Sequence, residues 1–169
     1  ATAAHLAEMG LKVALFDLNE EAGEQAAKSL SGIFCKVDVS NPESVRAGLD
    51  KAEAELGTIR VLVNCAGIGP AAKTVSRGEP HDAGLFEKVI KVNLLGSFNC
   101  ASQAAARMAA AEPTAPDGAR GVIVNTASVA AYEGQIGQVA YAASKGGVVG
   151  MTLPMARDMA DKGIRICTV

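Results

Sequence analysis

Three side chains have the types and spacing for acid–base chemistry: Ser128, Tyr141 and Lys145. Tyr141 and Lys145 are four residues apart, which on a helix puts them on one face, a single turn from each other. An ammonium beside a phenol favours the phenolate and makes the phenol a stronger acid. Lowering a phenol from about 10 to near 7 takes about 4 kcal/mol of differential stabilisation. A desolvated lysine with a second positive charge nearby supplies that. Ser128 closely follows the apolar run Gly121-Val122-Ile123-Val124-Asn125-Thr126 and can set its hydroxyl against the same substrate oxygen. Such a trio exchanges a proton with an alcohol or a carbonyl. A tyrosine–lysine pair alone is equally an ordinary feature of an amphipathic helix, so the elements that position the trio decide its meaning.

Those elements belong to one domain. A chain of 169 residues is long enough for one sizeable core and short for two. Eighteen glycines and an alanine-rich composition fit close helix–sheet packing rather than disorder. The formal charge of −2 offers neither a basic footprint for nucleic acid nor a polybasic membrane patch. No apolar run approaches the roughly 20 residues that a membrane span requires. Cys35, Cys65, Cys100 and Cys167 lie in apolar runs without metal-ligand spacing, so they are expected as small buried hydrophobes in a reducing compartment. His5 and His81 are isolated, and no metal site is expected.

Along the chain, Thr2 to Met9 reads as a helix closed by Gly10. Lys12 to Phe16 is an apolar strand ending in Asp17, and Glu20 to Leu30 is helical. Ile33 to Val37 is a second strand, again ending in an acid, Asp38. Ser40-Asn41-Pro42-Glu43 has the form of a capping box with proline in the first turn, predicting a helix to Leu56 that Gly57 stops. A strand from Arg60 to Val63 leads into the turn Asn64-Cys65-Ala66-Gly67. Ile68 to His81, with Pro70, Pro80 and Gly78, reads as a long loop near a substrate. A helical region over Asp82 to Ala111 carries the buried stripe Leu85, Phe86, Val89, Ile90 and Val92, with Asn93 and Gly96 as poor helix formers inside it. After the strand to Thr126, a helix spans about Gln138 to Lys162, Gly163 ends it, and Ile164 to Val169 begins another strand.

Alternating strands and helices predict a doubly wound, Rossmann-type α/β domain: a parallel sheet with helices on both faces. Ligands bind such sheets at the carboxyl ends of the strands. Asp17, Asp38, Asn64-Cys65-Ala66-Gly67 and Ser128 all fall there. A carboxylate at such an end can accept hydrogen bonds from an adenosine ribose and repels a 2′-phosphate. Each acid taken singly is also an ordinary turn or cap residue, and Asn64 to Gly67 an ordinary strand-ending turn.

Taken together, Asp38-Val39, Asn64-Cys65-Ala66-Gly67, Asn93, Ser128 and Tyr141-x-x-x-Lys145 resemble the short-chain dehydrogenase/reductase family over nearly the whole chain. Within it, Asn125 to Ala131, Glu133-Gly134-Gln135, Ser144 to Gly147, Gly150 to Pro154 and the long loop are similar to the type 2 3-hydroxyacyl-CoA dehydrogenase subgroup, whose members are also described as hydroxysteroid dehydrogenases. The resemblance implies NAD as cofactor and a 3-hydroxyacyl-CoA or other secondary alcohol as substrate. It implies Tyr141 as the acid/base, Lys145 as its activator and ribose ligand, Ser128 on the reacting oxygen, and Asn93 holding a relay water through its backbone carbonyl. Asp17 would hold the adenosine ribose, Asp38 and Val39 the adenine, Asn64, Cys65, Ala66 and Gly67 the cofactor backbone, and Gln135 would line the substrate pocket.

The family's glycine-rich phosphate loop, its first strand and the segment after Val169 are missing, so the domain is expected to be truncated at both ends, with unpaired edges beside the absent strand. A homotetramer packed through the helices at Asp82–Ala111 and Gln138–Lys162 is implied, in the cytoplasm or, for a eukaryotic protein, the mitochondrial matrix. A hydroxysteroid substrate and a non-catalytic scaffold stand as the alternative readings.

Overall fold

A computed structural model describes residues 1–114 and 116–169. Short strands alternate with helices: α1 (Thr2–Glu8), β1 (Ala14–Asp17), α2 (Glu20–Ser29), β2 (Ile33–Lys36), α3 (Pro42–Leu56) and β3 (Val61–Asn64). A small hairpin, β4 (Val75–Ser76) and β5 (Glu79–Pro80), then precedes α4 (Ala83–Ile90), a π-turn (Lys91–Leu95) and α5 (Gly96–Ala110). Strand β6 (Gly121–Asn125), the short α6 (Ala130–Glu133), α7 (Val139–Asp158), a 3-10 turn (Ala160–Lys162) and β7 (Ile164–Thr168) follow.

All the strands apart from the hairpin pair in parallel, as the βαβ rhythm predicts. They do so in two groups. Strand β1 pairs with β2, while β6 lies between β3 and β7. Among the described residues no strand bridges β1 and β3. Their facing edges line a cavity of about 590 Å³, with Leu15, Phe16, Leu62, Val63 and Cys100 on its walls. The single sheet expected from the pattern is thus divided at the place where unpaired edges were anticipated.

Helices flank the first pair on both sides: Phe34 packs under Gly23 of α2, whereas its neighbour Cys35 joins Val45 and Leu49 of α3 in the core. On the second group, Ile123, Ile164 and Ile166 meet Ala101, Ala104, Ala105 and Met108 of α5, with Met155 and Met159 at the margin. Alanines let α5 lie close to the sheet, and truncating the fully buried Met108 costs about 2–5 kcal/mol.

Several local expectations shift. Asn41, not Ser40, caps α3, accepting from the Glu43 and Ser44 amides. Ser40 is drawn away because its amide and hydroxyl both bond Asp38 Oδ1, at 2.9 and 2.7 Å. The long loop contains a hairpin whose turn places Arg77 and Gly78 at φ 55° and 86°, the conformation that matches strand twist. The long helix at 82–111 is interrupted by the π-turn, and the helix after Gln138 gives way to 3-10 geometry beyond Asp158. Cys35 and Cys100 are buried as expected, but Cys65 and Cys167 are exposed. Cys65 stands just past a strand end, and Cys167 alternates outward on β7. Among the described residues no helix is long and apolar enough to cross a membrane, and no cluster of potential metal ligands occurs.

Candidate active site

The parallel strands deliver Asp17, Asn64, Asn125 and the residues after them to one end of the molecule. The π-turn faces that end. Its extra residue shows in the Gly96 amide, which donates to Lys91 O, five residues back. Such turns are rare and occur often at functional sites. Two glycines let it pack: a methyl on Gly96 would come within 2.6 Å of Val39, and one on Gly147 of α7 within 2.7 Å of Leu94.

Asn93, fully buried, is the centre of the turn. Its carboxamide pairs with both backbone groups of Ile68: Oδ1 accepts from the Ile68 amide at 2.8 Å, and Nδ2 donates to the Ile68 carbonyl at 2.8 Å. The same Nδ2 donates to Ser144 Oγ of α7 at 3.0 Å. The Asn93 carbonyl accepts from Ser97 Oγ at 2.7 Å, which uses one of its two lone pairs. Asn64 does not turn its side chain to the cavity. Its Nδ2 donates to the Ser97 carbonyl and to Asn125 Oδ1, at 3.1 and 2.9 Å. A buried polar chain therefore runs from β6 and β3 through α5 and the π-turn to α7.

Tyr141 and Lys145 share one face of α7, with the ammonium 5.7 Å from the phenol ring centre. Lys145 is 5 % exposed and donates to the Thr126 carbonyl at 2.6 Å. Burial pushes its ammonium below the ordinary lysine pKa, and the nearby Cys65 thiol, when ionised, opposes that shift. Gly69 lies against the Tyr141 ring, and Gly67 stands beside both Asn93 Oδ1 and Lys145 Nζ. The structure thus brings Tyr141, Lys145, Asn93, Cys65 and Gly67 together.

Ser128 sits between β6 and α6, and its Oγ accepts from the Ala130 amide at 3.1 Å, leaving the hydroxyl proton free to donate elsewhere. Gln135 lies apart from that cluster. It lines a second cavity of about 540 Å³ between the β4–β5 hairpin and the start of α7, together with Lys73, Val75, Ile136 and Ala142. Ala72 holds this wall in place by donating to the Gly137 carbonyl at 2.8 Å.

Asp17, Val39, Asn64, Cys65 and Ala66 all line the larger cavity at the β1–β3 gap. The Asp17 carboxylate is exposed there and accepts from the Asn19 amide. Asp38 is held by Ser40 and does not belong to that lining. Ser97 and Ser144 take part in the polar chain and the Thr126 carbonyl holds Lys145, roles not assigned from the sequence. Only Ser144 had a positional hint, one helical turn after Tyr141.

Comparison with known proteins bears on the fold and the family. The whole chain, residues 1–169, matches the family described as short chain dehydrogenase. It is 47 % identical over 173 residues to the human protein named 3-hydroxyacyl-CoA dehydrogenase type-2, covering 100 % of this chain and 66 % of the relative. The Drosophila melanogaster protein of the same name is 49 % identical, with 100 % and 68 % covered. A crystal structure of 3-hydroxyacyl-CoA dehydrogenase type-2 from Mycobacterium avium superposes with a TM-score of 0.92 at 43 % identity, over 99 % of this chain and 67 % of that one. The chain spans about two thirds of the length of these relatives. On a match that runs its full length, the chain belongs to the short-chain dehydrogenase family.

Proposed function

We propose that the protein is an NAD-dependent oxidoreductase that interconverts a secondary alcohol and a ketone, with a 3-hydroxyacyl-CoA as the alcohol. The observation that carries this reading is the buried Lys145 ammonium on the face of α7 that bears Tyr141, joined to the strand ends through Thr126. The shared name of the relatives supports the acyl-CoA substrate.

The residues at the strand ends fit a dinucleotide. Asp17 offers an exposed carboxylate to a ribose, Val39 and the segment Cys65–Ala66 follow the ends of their strands, and Gly67 presents bare backbone beside Lys145. Asp17 favours NAD over NADP because a 2′-phosphate would meet its charge. Asp38, whose Oδ1 takes the Ser40 amide and hydroxyl, and Val39 hold the adenine. Asn64 contributes backbone only, its side chain being committed to Ser97 and Asn125.

The bound nicotinamide supplies the two-electron acceptor or donor. Tyr141 gives a proton to the carbonyl oxygen in reduction and takes it back in oxidation. Lys145 stabilises the phenolate form through a charge–charge attraction that the low-dielectric surroundings strengthen. Ser128 orients the substrate oxygen with its remaining hydroxyl proton. Asn93 holds a relay water through its backbone carbonyl, which also accepts from the Ser97 hydroxyl. Gln135 lines the cavity that receives the far part of the substrate.

The same reading includes assembly as a homotetramer. Leu95 and Phe98 at the α5 end and Leu153 on α7 are exposed, apolar and on the helices expected to pair. The test compares kcat/KM for acetoacetyl-CoA and for a steroid ketone, each with NADH and NADPH. Preference for acetoacetyl-CoA with NADH supports the proposal. Preference for the steroid ketone favours the hydroxysteroid alternative, and activity with neither overturns the enzymatic reading.

A further inference from the structure

We infer that Ser144 is a positioning residue for the reaction, the hydroxyl through which the catalytic helix sets the π-turn and the strand-end loop. Ser144 is fully buried on α7, between Tyr141 and Lys145 in sequence. Its Oγ makes two bonds with opposite roles. It donates to the Tyr141 carbonyl at 2.7 Å and accepts from Asn93 Nδ2 at 3.0 Å.

A serine that only bonds the carbonyl one turn back is a common local feature of helices. The second bond distinguishes this one, because it reaches 51 residues along the chain to the centre of the π-turn. There Asn93 is saturated: one amide proton goes to the Ile68 carbonyl, the other to Ser144, and Oδ1 takes the Ile68 amide. The carboxamide cannot rotate without breaking three bonds at once. Ile68 follows the segment Cys65–Gly67, so the Asn93 side chain fixes both that segment and its own backbone carbonyl. Removing the Ser144 hydroxyl leaves an Asn93 N–H in the interior without an acceptor, and the turn and the loop then lose their common anchor on α7.

The effect on turnover rests on the proposed oxidoreductase chemistry, whereas the effect on local opening does not. The test therefore reads both, on the protein and on Ser144→Ala, with Val148→Ala as a control. Val148 is a fully buried neighbour on α7 that makes no bond to Asn93. Hydrogen exchange at residues 65–69 and 91–95 should rise about fivefold or more in Ser144→Ala and little in Val148→Ala. Ser144→Cys keeps a side-chain acceptor, though a larger and weaker one, and should fall between parent and Ser144→Ala. It also serves if Ser144→Ala does not fold. In the turnover assay kcat should fall about tenfold in Ser144→Ala with KM for the ketone nearly unchanged. Unchanged exchange in both segments, or an equal rise in Val148→Ala, overturns the inference. If the parent protein reduces no ketone, the enzymatic reading fails, and the exchange data still decide the role of Ser144.

Discussion

The two halves of the strand-end surface are built differently. Around α7 and the π-turn, Asn93, Ser144, Lys145 and Ser97 are buried and tied to one another or to backbone carbonyls by hydrogen bonds. At the ends of β1 and β3, Asp17 and Cys65 stand exposed. One half is organised by its own side chains, and the other exposes its groups at the strand ends. The contrast teaches that the residues proposed for acid–base chemistry are held by hydrogen bonds within the fold. Pre-setting matters because the barrier then carries little cost for orienting these groups during the reaction.

The strongest way to break this comparison is to remove the charge from the organised half. Lys145→Met should lower kcat by at least about 10³-fold. At pH 7 it should melt no lower than the parent, because the native ammonium is held in a site that disfavours its charge. The native pKa lies below that of the unfolded chain, so between the two the unfolded state binds more protons and stability rises with pH. Any advantage of Lys145→Met in thermal unfolding should therefore shrink as the pH rises toward 10. A marked loss of stability at pH 7 would show that the Thr126 bond outweighs desolvation.

Asn93→Leu should cost about 10²-fold in kcat. In the same variant, hydrogen exchange at residue 68 should rise, which separates loss of the anchor from general unfolding. On the open half, Asp17→Ser should change the ratio of kcat/KM for NAD over NADP by about tenfold, with kcat for NAD nearly constant. An equal loss with both cofactors would mean that Asp17 shapes the strand end only. The mildest probe is thiol alkylation followed by mass spectrometry. Cys65 and Cys167 should react first, and NADH should protect Cys65. Cys100 should stay unmodified at pH 8, since burial pushes its thiol up to about 12. Burial also raises the Cys35 thiol above its ordinary range, so it should lag with Cys100.

Much of the fold was legible because apolar runs ending in Asp17, Asp38, Asn64 and Ser128 mark strand ends in a βαβ order. Asn93 was legible only as a misfit. An added residue in a helix leaves no compositional trace, so the π-turn appears only when the Gly96 amide is seen to reach Lys91. The partners of Ser144 and Asn64 lie 51 and 61 residues away, beyond any local pattern. The cap of α3 moved by one position because Ser40 and Asn41 are both good caps, and the pull of Asp38 on Ser40 decided between them. Exposure of Cys167 depended on which face of β7 meets the core, which an apolar run leaves open.

The central claim is that Tyr141 is the proton donor of the proposed reaction. Its most direct test is NADH oxidation with acetoacetyl-CoA by the protein and by Tyr141→Phe, with the NADH dissociation constant of each from fluorescence titration. The account predicts turnover lower by at least about 10³-fold in Tyr141→Phe, with NADH binding within about twofold of the parent. Retained turnover, or turnover and NADH binding lost together, would contradict it.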